Sequence, residues 1–193
     1  MQSLKVLIAG ALALGLSVSA ALADEVTEQI EEGLKAYKAG DFTLAKQYLE
    51  TASQLINQKK AEKLPDLLPA PEKGWTVADI DDEAEASSTP LIGGITARRT
   101  YVSKDGTEDV TVEIAGDSPM LTQMAVVLMN PTLAGTLGKI RVIDKQRALI
   151  MRNGEIKLVV DNRFVVTVGG TAPEDTKIAY VESIDYDALE QFE

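Results

Sequence analysis

The stretch that decides the fold is GKIRVIDKQRALIMRNGEIKLVVDNRFVVTVGG, residues 138–170. Apolar and polar residues alternate along it: Ile156, Leu158 and Val160 share one parity, and Lys157 has the other. Successive side chains of a β-strand point to opposite faces of a sheet, so this alternation predicts strands with one apolar face. We expect three or four antiparallel strands here, joined as a meander.

Dipeptides typical of tight turns separate the predicted strands. The Asn-Gly pair at 153–154 favours a type I′ hairpin turn, because that turn needs positive φ angles at both central residues. The Asp-Asn pair at 161–162 is a weaker signal of the same kind. The Asp-Gly pair at 105–106 predicts a further hairpin between TARRTYVS and EDVTVEIAG. The sheet is therefore predicted to be built largely from hairpins.

Helical patterns flank the strands. Pro119 suits the first turn of a crossover helix whose buried stripe includes Met124, and Pro131 ends that helix. The sequence Thr-Ala-Pro-Glu from Thr171 is typical of a capping box and predicts a last helix. Val165 has an apolar side chain at a position of polar parity, so we expect part of the second sheet face to be covered as well.

The predicted fold class is α+β: an N-terminal helical hairpin followed by an antiparallel sheet domain with a crossover helix and a C-terminal helix. We expect a signal peptide over residues 1–23, the hairpin over 24–61, a Pro-rich and acidic linker over 62–95 and the sheet domain over 96–193. The linker begins with LPDLLPAPEKGW, which suits either a connection or a segment that lines the sheet edge.

The first residues have the three parts of a secretory signal peptide. Lys5 supplies the positive charge, VLIAGALALGLSVSAAL the apolar centre, and Ala21-Leu22-Ala23 the small-residue cleavage site. The alternative is an uncleaved membrane anchor, for which the apolar run is short. We therefore expect cleavage after Ala23 and a periplasmic location, with no transmembrane segment in the mature chain.

Composition excludes several chemistries. The chain has no cysteine and no histidine, which removes disulfides, cysteine nucleophiles, imidazole bases and most transition-metal ligand sets. Its 30 acidic and 19 basic residues give a net charge of −11, which argues against nucleic-acid binding. We see no catalytic constellation and expect no cofactor, metal or enzymatic activity.

The segment EEGLKAYKAGDFTLAKQYLETASQLI predicts two helices joined by a turn at Ala39-Gly40-Asp41. Ile30, Leu34 and Tyr37 give the apolar spacing of the first helix. Small or aromatic packing residues occupy Gly33, Tyr37, Gly40, Phe42, Ala45, Ala52 and Leu55. In these positions the segment, about residues 28–57, resembles a single tetratricopeptide repeat.

Such repeats need neighbours to bury their faces, so the resemblance implies a hairpin that packs on the rest of the chain or on a partner protein. The candidate protein-contact residues are Tyr37, Phe42 and Tyr48. A plain helical hairpin without a binding groove is the alternative. Over the remaining chain, the order of two strands, a helix, a meander and a last helix resembles PsbP-like domains, which implies helices packed on an antiparallel sheet but fixes no function.

A basic region stands out from the acidic background, within and beside the meander. The residues predicted to form an anionic-partner face are Arg98, Lys139, Arg141 and Lys157. Such a face would suit phospholipid head groups, an anionic envelope polymer or an acidic protein surface. The alternative is that these residues discourage pairing at exposed strand edges.

Two further groups of residues have side chains that can bind metal ions. The acidic run over residues 79–85 lacks the glycine and the closing glutamate of an EF-hand loop, so a solvated loop is the better interpretation. Met120, Met124, Met129 and Met151 could offer thioethers to Cu(I), but methionine commonly fills apolar cores.

The sequence therefore predicts an exported, soluble, non-enzymatic accessory protein of the cell envelope that acts by protein–protein contact. Its expected partner is an envelope protein or an anionic envelope component. The alternatives are a carrier or sensor of a small anionic or lipidic ligand and, last, a hydrolase that uses two carboxylates.

Overall fold

The structure is a computed structural model and describes residues 25–78, 94–117 and 130–193. The helices are α1 (Glu25–Lys38), α2 (Phe42–Lys63), a 3-10 helix (Leu64–Leu67), α3 (Pro131–Leu137), α4 (Glu174–Glu182) and α5 (Tyr186–Glu190). The strands are β1 (Trp75–Val77), β2 (Ile95–Ser103), β3 (Asp109–Gly116), β4 (Gly138–Ile143), β5 (Gln146–Met151), β6 (Ile156–Val160) and β7 (Phe164–Gly169). The α+β class is confirmed: a helical pair precedes an antiparallel sheet with further helices.

The strands form a seven-stranded sheet in the order β1-β2-β3-β7-β6-β5-β4, with every neighbouring pair antiparallel. After β3 the chain crosses to the opposite edge of the sheet and forms β4 there. It then returns through β5 and β6 to β7, which lies beside β3. The meander predicted for residues 138–170 is thus confirmed as four strands. The predicted signal peptide, the acidic run over 79–85 and most of the predicted crossover helix lie outside the described residues.

The alternation in the sequence produces two unlike sheet faces. We call the side that carries Ile114, Leu158 and Val166 the helix face, because these buried residues join one core with residues of α4 and α5. The opposite side, the outer face, has a smaller buried cluster of Ala115 and Val165. The covered area expected around Val165 is therefore present, although the main core lies on the helix face.

The segment expected as a linker contributes to both the core and the sheet. Leu64 and Leu68 are buried in the main core, and β1 pairs with β2 along one edge of the sheet. Arg99, on the helix face, donates from its guanidinium to the carbonyl oxygens of Pro65 and Leu68 at 3.1 and 3.2 Å. Residues 64–77 thus line the sheet edge, as one of the two interpretations of this segment predicted.

The turns differ in detail from the prediction. At 153–154 only Gly154 has a positive φ angle, +80°, and four residues separate β5 from β6, so a two-residue type I′ turn there is wrong. Both residues at 161–162 have positive φ angles, 49° and 53°. The pair at 144–145, which has no glycine or asparagine, also has positive angles of 43° and 63° and joins β4 to β5 directly.

The predicted helix boundaries have different outcomes. The end of the predicted crossover helix lies outside the described residues; Pro131 begins α3, and the Asn130 side chain caps α3 by accepting the backbone N–H of Thr132 at 3.0 Å. Thr171 does not cap α4. Its hydroxyl pairs with the Asp109 carboxylate at 2.5 Å and ties the end of the meander to the start of β3.

Three buried tyrosines make the stability of the folded state depend on pH in the alkaline range. Burial raises the pKa of Tyr180 to about 12 and raises the pKa of Tyr186 and of Tyr101, although Arg99 opposes the shift at Tyr101. The folded state thus favours neutral phenols, whose unfolded pKa is about 10. This contribution to stability is complete below pH 10 and is lost as pH rises from 10 towards the folded pKa values.

We therefore expect the denaturant midpoint to fall steeply above about pH 10. Chemical unfolding followed between about pH 8 and about pH 11 checks this. Tyr180→Phe should make the fall shallower, whereas Tyr37→Phe, at an exposed ring, should not change it. A stability that stays constant through this range would contradict the prediction.

Candidate interaction surfaces

The register of the sheet separates the four basic residues that the sequence suggested for one face. Arg98 and Lys157 lie on the outer face, in one row of side chains across β2, β3, β7 and β6. Arg141 stands opposite Ala148, so Arg141 and Lys139 lie on the helix face. The four residues do not form one basic face, because the two-residue turn at 144–145 fixes the register of β4 and its parity is opposite to the one expected.

Each of the two basic residues of the outer face forms an ion pair with a carboxylate. Arg98 Nε donates to Glu113 Oε2 at 2.8 Å, and Glu113 is its direct cross-strand neighbour. Lys157 Nζ lies 3.4 Å from Glu155 Oε2. Cross-strand pairs of opposite charge stabilise a sheet modestly. Arg98 therefore has a cross-strand partner, and Lys157 has a partner two positions before it in the chain.

Small residues bring the two helices of the hairpin close together. Gly33, Ala36, Ala45 and Ala52 are buried. A β-carbon at Gly33 would lie only 3.2 Å from Leu49 Cγ, so glycine permits this approach of α2 to α1. The helix contact thus uses residues that contribute little apolar area of their own.

The larger apolar side chains of the hairpin remain on the surface. Six of them lie together: Ile30, Leu34, Tyr37, Phe42, Leu49 and Ile56, with exposed fractions between 41% and 67%. On each helix their spacing of three, four or seven positions places them on one side. The Tyr37 and Phe42 rings meet edge to face with centroids 5.7 Å apart, so the sets on the two helices adjoin. We call these six residues the hairpin apolar face.

Two of the three aromatic residues predicted for protein contact belong to this face. Tyr37 and Phe42 are 60% and 67% exposed. Tyr48 is half-buried, and its Cβ lies beside Gly33 of α1. It therefore takes part in the packing of α2 on α1 and offers less surface to a partner.

The contact between the helices is not made by the residues that supplied the clearest helical spacing. Ile30, Leu34 and Tyr37 show that spacing in the sequence, yet Gly33 and Ala36 are the buried positions. Apolar periodicity identifies a helix but does not say which of two adjacent stripes is covered. The signal that could have found the covered stripe is the row of small residues shared by both helices.

A cluster of charged side chains fixes the hairpin to the sheet. Asp117 follows β3 with a φ angle of +54° and forms an ion pair with Lys60 of α2. The Arg163 guanidinium donates to the Asp117 carboxylate at 3.3 Å and to the Phe192 carbonyl oxygen at 3.1 Å. Lys60 Nζ also lies 5.8 Å from the centroid of the Phe192 ring. We call these four residues the Asp117 cluster.

A cleft of about 250 Å³ lies where the hairpin meets the C-terminus. Its walls include Val26 and Ile56, and Lys60, Lys63 and Glu193 stand around it. The cleft combines apolar walls with positive charge. It is smaller than most small-molecule sites, which measure about 300–1,000 Å³.

The other candidate sites receive no support from the described part of the chain. Residues 25–78, 94–117 and 130–193 contain no group of three or more acidic side chains placed to hold a metal ion. Within the same ranges, no helix is long and apolar enough to span a membrane. The acidic run over 79–85 and three of the four methionines lie outside these ranges.

Comparison of the chain with protein-family models, with curated proteins and with solved structures finds no match. The resemblances of the hairpin to a tetratricopeptide repeat and of the sheet domain to PsbP-like domains therefore stay predictions.

Proposed function

We propose that this protein is an exported, non-enzymatic accessory protein that binds another protein of the cell envelope through the hairpin apolar face. The observation that carries the proposal is the set of six exposed apolar side chains on one side of the hairpin. Contiguous apolar patches of this kind on a protein surface commonly mark interaction sites. Export is supported by the signal-peptide pattern of residues 1–23.

The composition of the face suits a protein partner. Tyr37 and Phe42 form an aromatic pair at the closed end of the hairpin, and aromatic residues supply much of the binding energy of protein interfaces. Leu34 and Leu49 extend the patch along the helices. The occupant that fits is an apolar helix or strand face that lies along both helices, as in recognition of an amphipathic helix by a groove.

The binding test removes the apolar face and keeps the hairpin. The change is Leu34→Asp with Phe42→Asp, at side chains 50% and 67% exposed. We expect capture of the partner to weaken about 30-fold or more, since loss of an interface hot spot costs about 2 kcal/mol or more. The measurement is chemical cross-linking and co-purification of the tagged protein from envelope fractions, followed by titration of the partner identified.

The matched control is Leu44→Asp, also on α2. Leu44 is 39% exposed and lies two positions from Phe42, hence about 200° around the helix from it. Circular dichroism establishes that both variants keep their helices. Equal loss of the partner in both variants, or no loss in either, would contradict the proposal.

The N-terminus of the protein recovered from the periplasm tests export: Asp24 should be the first residue.

A second candidate function is transport or sensing of a small anionic or lipidic ligand. The observation that favours it is the cleft between Val26 and Ile56, with Lys63 at its margin. Native mass spectrometry of the protein purified from cells separates the two functions. A retained ligand that is lost on Ile56→Asp would favour the carrier, whereas a bare protein with an identified protein partner would favour the accessory role.

A further inference from the structure

The exposed edge of the sheet at β4 has a composition unlike the rest of the molecule. β4 pairs with β5 and ends the sheet order. Ile140 and Val142 point to the outer face and are 38% and 69% exposed, and Leu137, just before the strand, is 39% exposed. An edge with uncovered aliphatic side chains is a liability unless something occupies it.

Basic side chains surround these aliphatic residues. Arg147 stands opposite Val142 in the register, while Lys139 and Arg141 project from the helix face of the same strand, and all three are exposed. We call the six residues the β4 patch: Leu137, Lys139, Ile140, Arg141, Val142 and Arg147. This edge of the sheet therefore has Lys139 and Arg141 on the helix face and Ile140, Val142 and Arg147 on the outer face, so a surface that meets the edge contacts cationic and apolar side chains together.

Nearby carboxylates reduce the positive charge of this edge, and Asp185 and Asp187 line a cleft beside the β4–β5 turn. Asp144 shares the β4–β5 turn with Lys145. Arg141 Nη1 lies 3.7 Å from Glu174 Oε1 at the start of α4, and both side chains are about half exposed. An ion pair so exposed contributes little and is readily exchanged. The three basic residues of the patch are therefore available to an anionic surface, on a chain whose net charge is −11.

From this combination we infer that the β4 patch docks on the surface of a membrane that contains anionic phospholipid. Lysine is depleted in protein interfaces, and of the residues enriched at interface hot spots, which are tryptophan, tyrosine and arginine, the patch has arginine alone. The β4 patch has lysine, arginine and aliphatic residues and no aromatic residue. Basic and aliphatic residues side by side are typical of surfaces that rest on anionic lipid head groups.

The aliphatic and the basic side chains of the patch make different contacts with the membrane. Val142 and Ile140 enter the boundary between head groups and acyl chains, where burial of apolar area is favourable. Lys139, Arg141 and Arg147 extend their aliphatic stems along that boundary and place their charges among the phosphates. Because the interaction is largely electrostatic, salt weakens it. This surface is separate from the hairpin apolar face and does not depend on the function proposed for it.

The test measures sedimentation of the exported protein with vesicles. One set contains equal parts of phosphatidylglycerol and phosphatidylcholine, and the other contains phosphatidylcholine alone. We expect binding to the anionic vesicles only, and weaker binding as salt is added. Lys139→Glu with Arg141→Glu should lower the partition coefficient about 30-fold or more, since each basic residue contributes about fivefold at an anionic surface. Val142→Asp should also weaken binding.

The matched control is Lys46→Glu with Lys104→Glu, which changes the net charge equally at exposed sites on α2 and in the β2–β3 turn. It should keep most of the binding, and so should the Leu34→Asp, Phe42→Asp variant of the hairpin. Equal binding to both vesicle types, no binding to either, or equal loss in the control would overturn the inference. So would a dimer seen by analytical ultracentrifugation that Val142→Asp dissociates, because the edge would then pair with a second copy.

Discussion

Shortening Phe164 to alanine is expected to lower the free energy of unfolding by about 3–5 kcal/mol. The ring is fully buried, contacts the Phe192 ring edge to face with centroids 6.1 Å apart, and lies 5.0 Å from the Arg163 guanidinium carbon. It stands directly opposite Gly116 in the ladder that joins β3 to β7. Removal of the ring leaves a cavity where the two halves of the sheet meet.

Denaturant unfolding of Phe164→Ala measures this loss, and Phe192→Ala, at a half-buried ring of the same contact, is the control with a smaller expected effect. Gly116→Ala tests the packing of the Phe164 ring against its cross-strand neighbour. A β-carbon there would lie 2.3 Å from Phe164 Cδ1, so alanine should destabilise by forcing the ring away. In the double variant with Phe164→Leu, part of the lost free energy of unfolding should be recovered. If the two substitutions lowered the free energy of unfolding additively, the predicted clash between residue 116 and the Phe164 ring would be contradicted.

Replacement of Asp117 by asparagine is expected to cost about 1.5–3 kcal/mol, the range for hydrogen bonds to charged groups. The change keeps a residue that tolerates the left-handed backbone conformation but removes the charge that Lys60 and Arg163 share. Because the Lys60 and Asp117 side chains are each only 19% exposed, water replaces the lost interaction poorly.

Hydrogen exchange locates the effect of this substitution. Amides near the C-terminal end of α2 should exchange faster, while those of β6 and β7 should keep most of their protection, because the Asp117 cluster attaches the hairpin to the sheet. Glu174→Gln is the matched control, since it breaks the exposed pair with Arg141 and should change stability by less than about 1 kcal/mol. If the two substitutions lowered the free energy of unfolding equally, Asp117 would not have the proposed role of attaching the hairpin to the sheet.

The sequence predicted the strands of the meander well because their alternation has a period of two over several residues. It predicted β4 less well. The parity of that strand depends on its register with β5, and the register is set by a turn at 144–145 that has neither glycine nor asparagine. Lys139 and Arg141 were therefore expected beside Lys157, on the face opposite to the one they occupy.

The candidate hairpin surface was predictable in part. Phe42 and Tyr37 were identified as aromatic residues on exposed helices, and both lie on the hairpin apolar face. The contribution of Leu49 and Ile56 was missed, because the apolar pattern of a helix shows a stripe without showing which edge of the stripe a neighbouring helix covers. The contact of Asp117 with Lys60 joins residues 57 positions apart, a distance at which sequence patterns give no information.

The order of strands has a consequence for how the chain reaches its folded state. β7 follows the other six described strands in the chain, yet it occupies the middle of the sheet, between β3 and β6. Until residues 164–169 are available, β1–β3 and β4–β6 are two ribbons without a shared partner, and neither can close its side of the core. Pairing through β7 therefore joins the two ribbons into one sheet, and neither ribbon has its full set of sheet partners before residues 164–169 take their place.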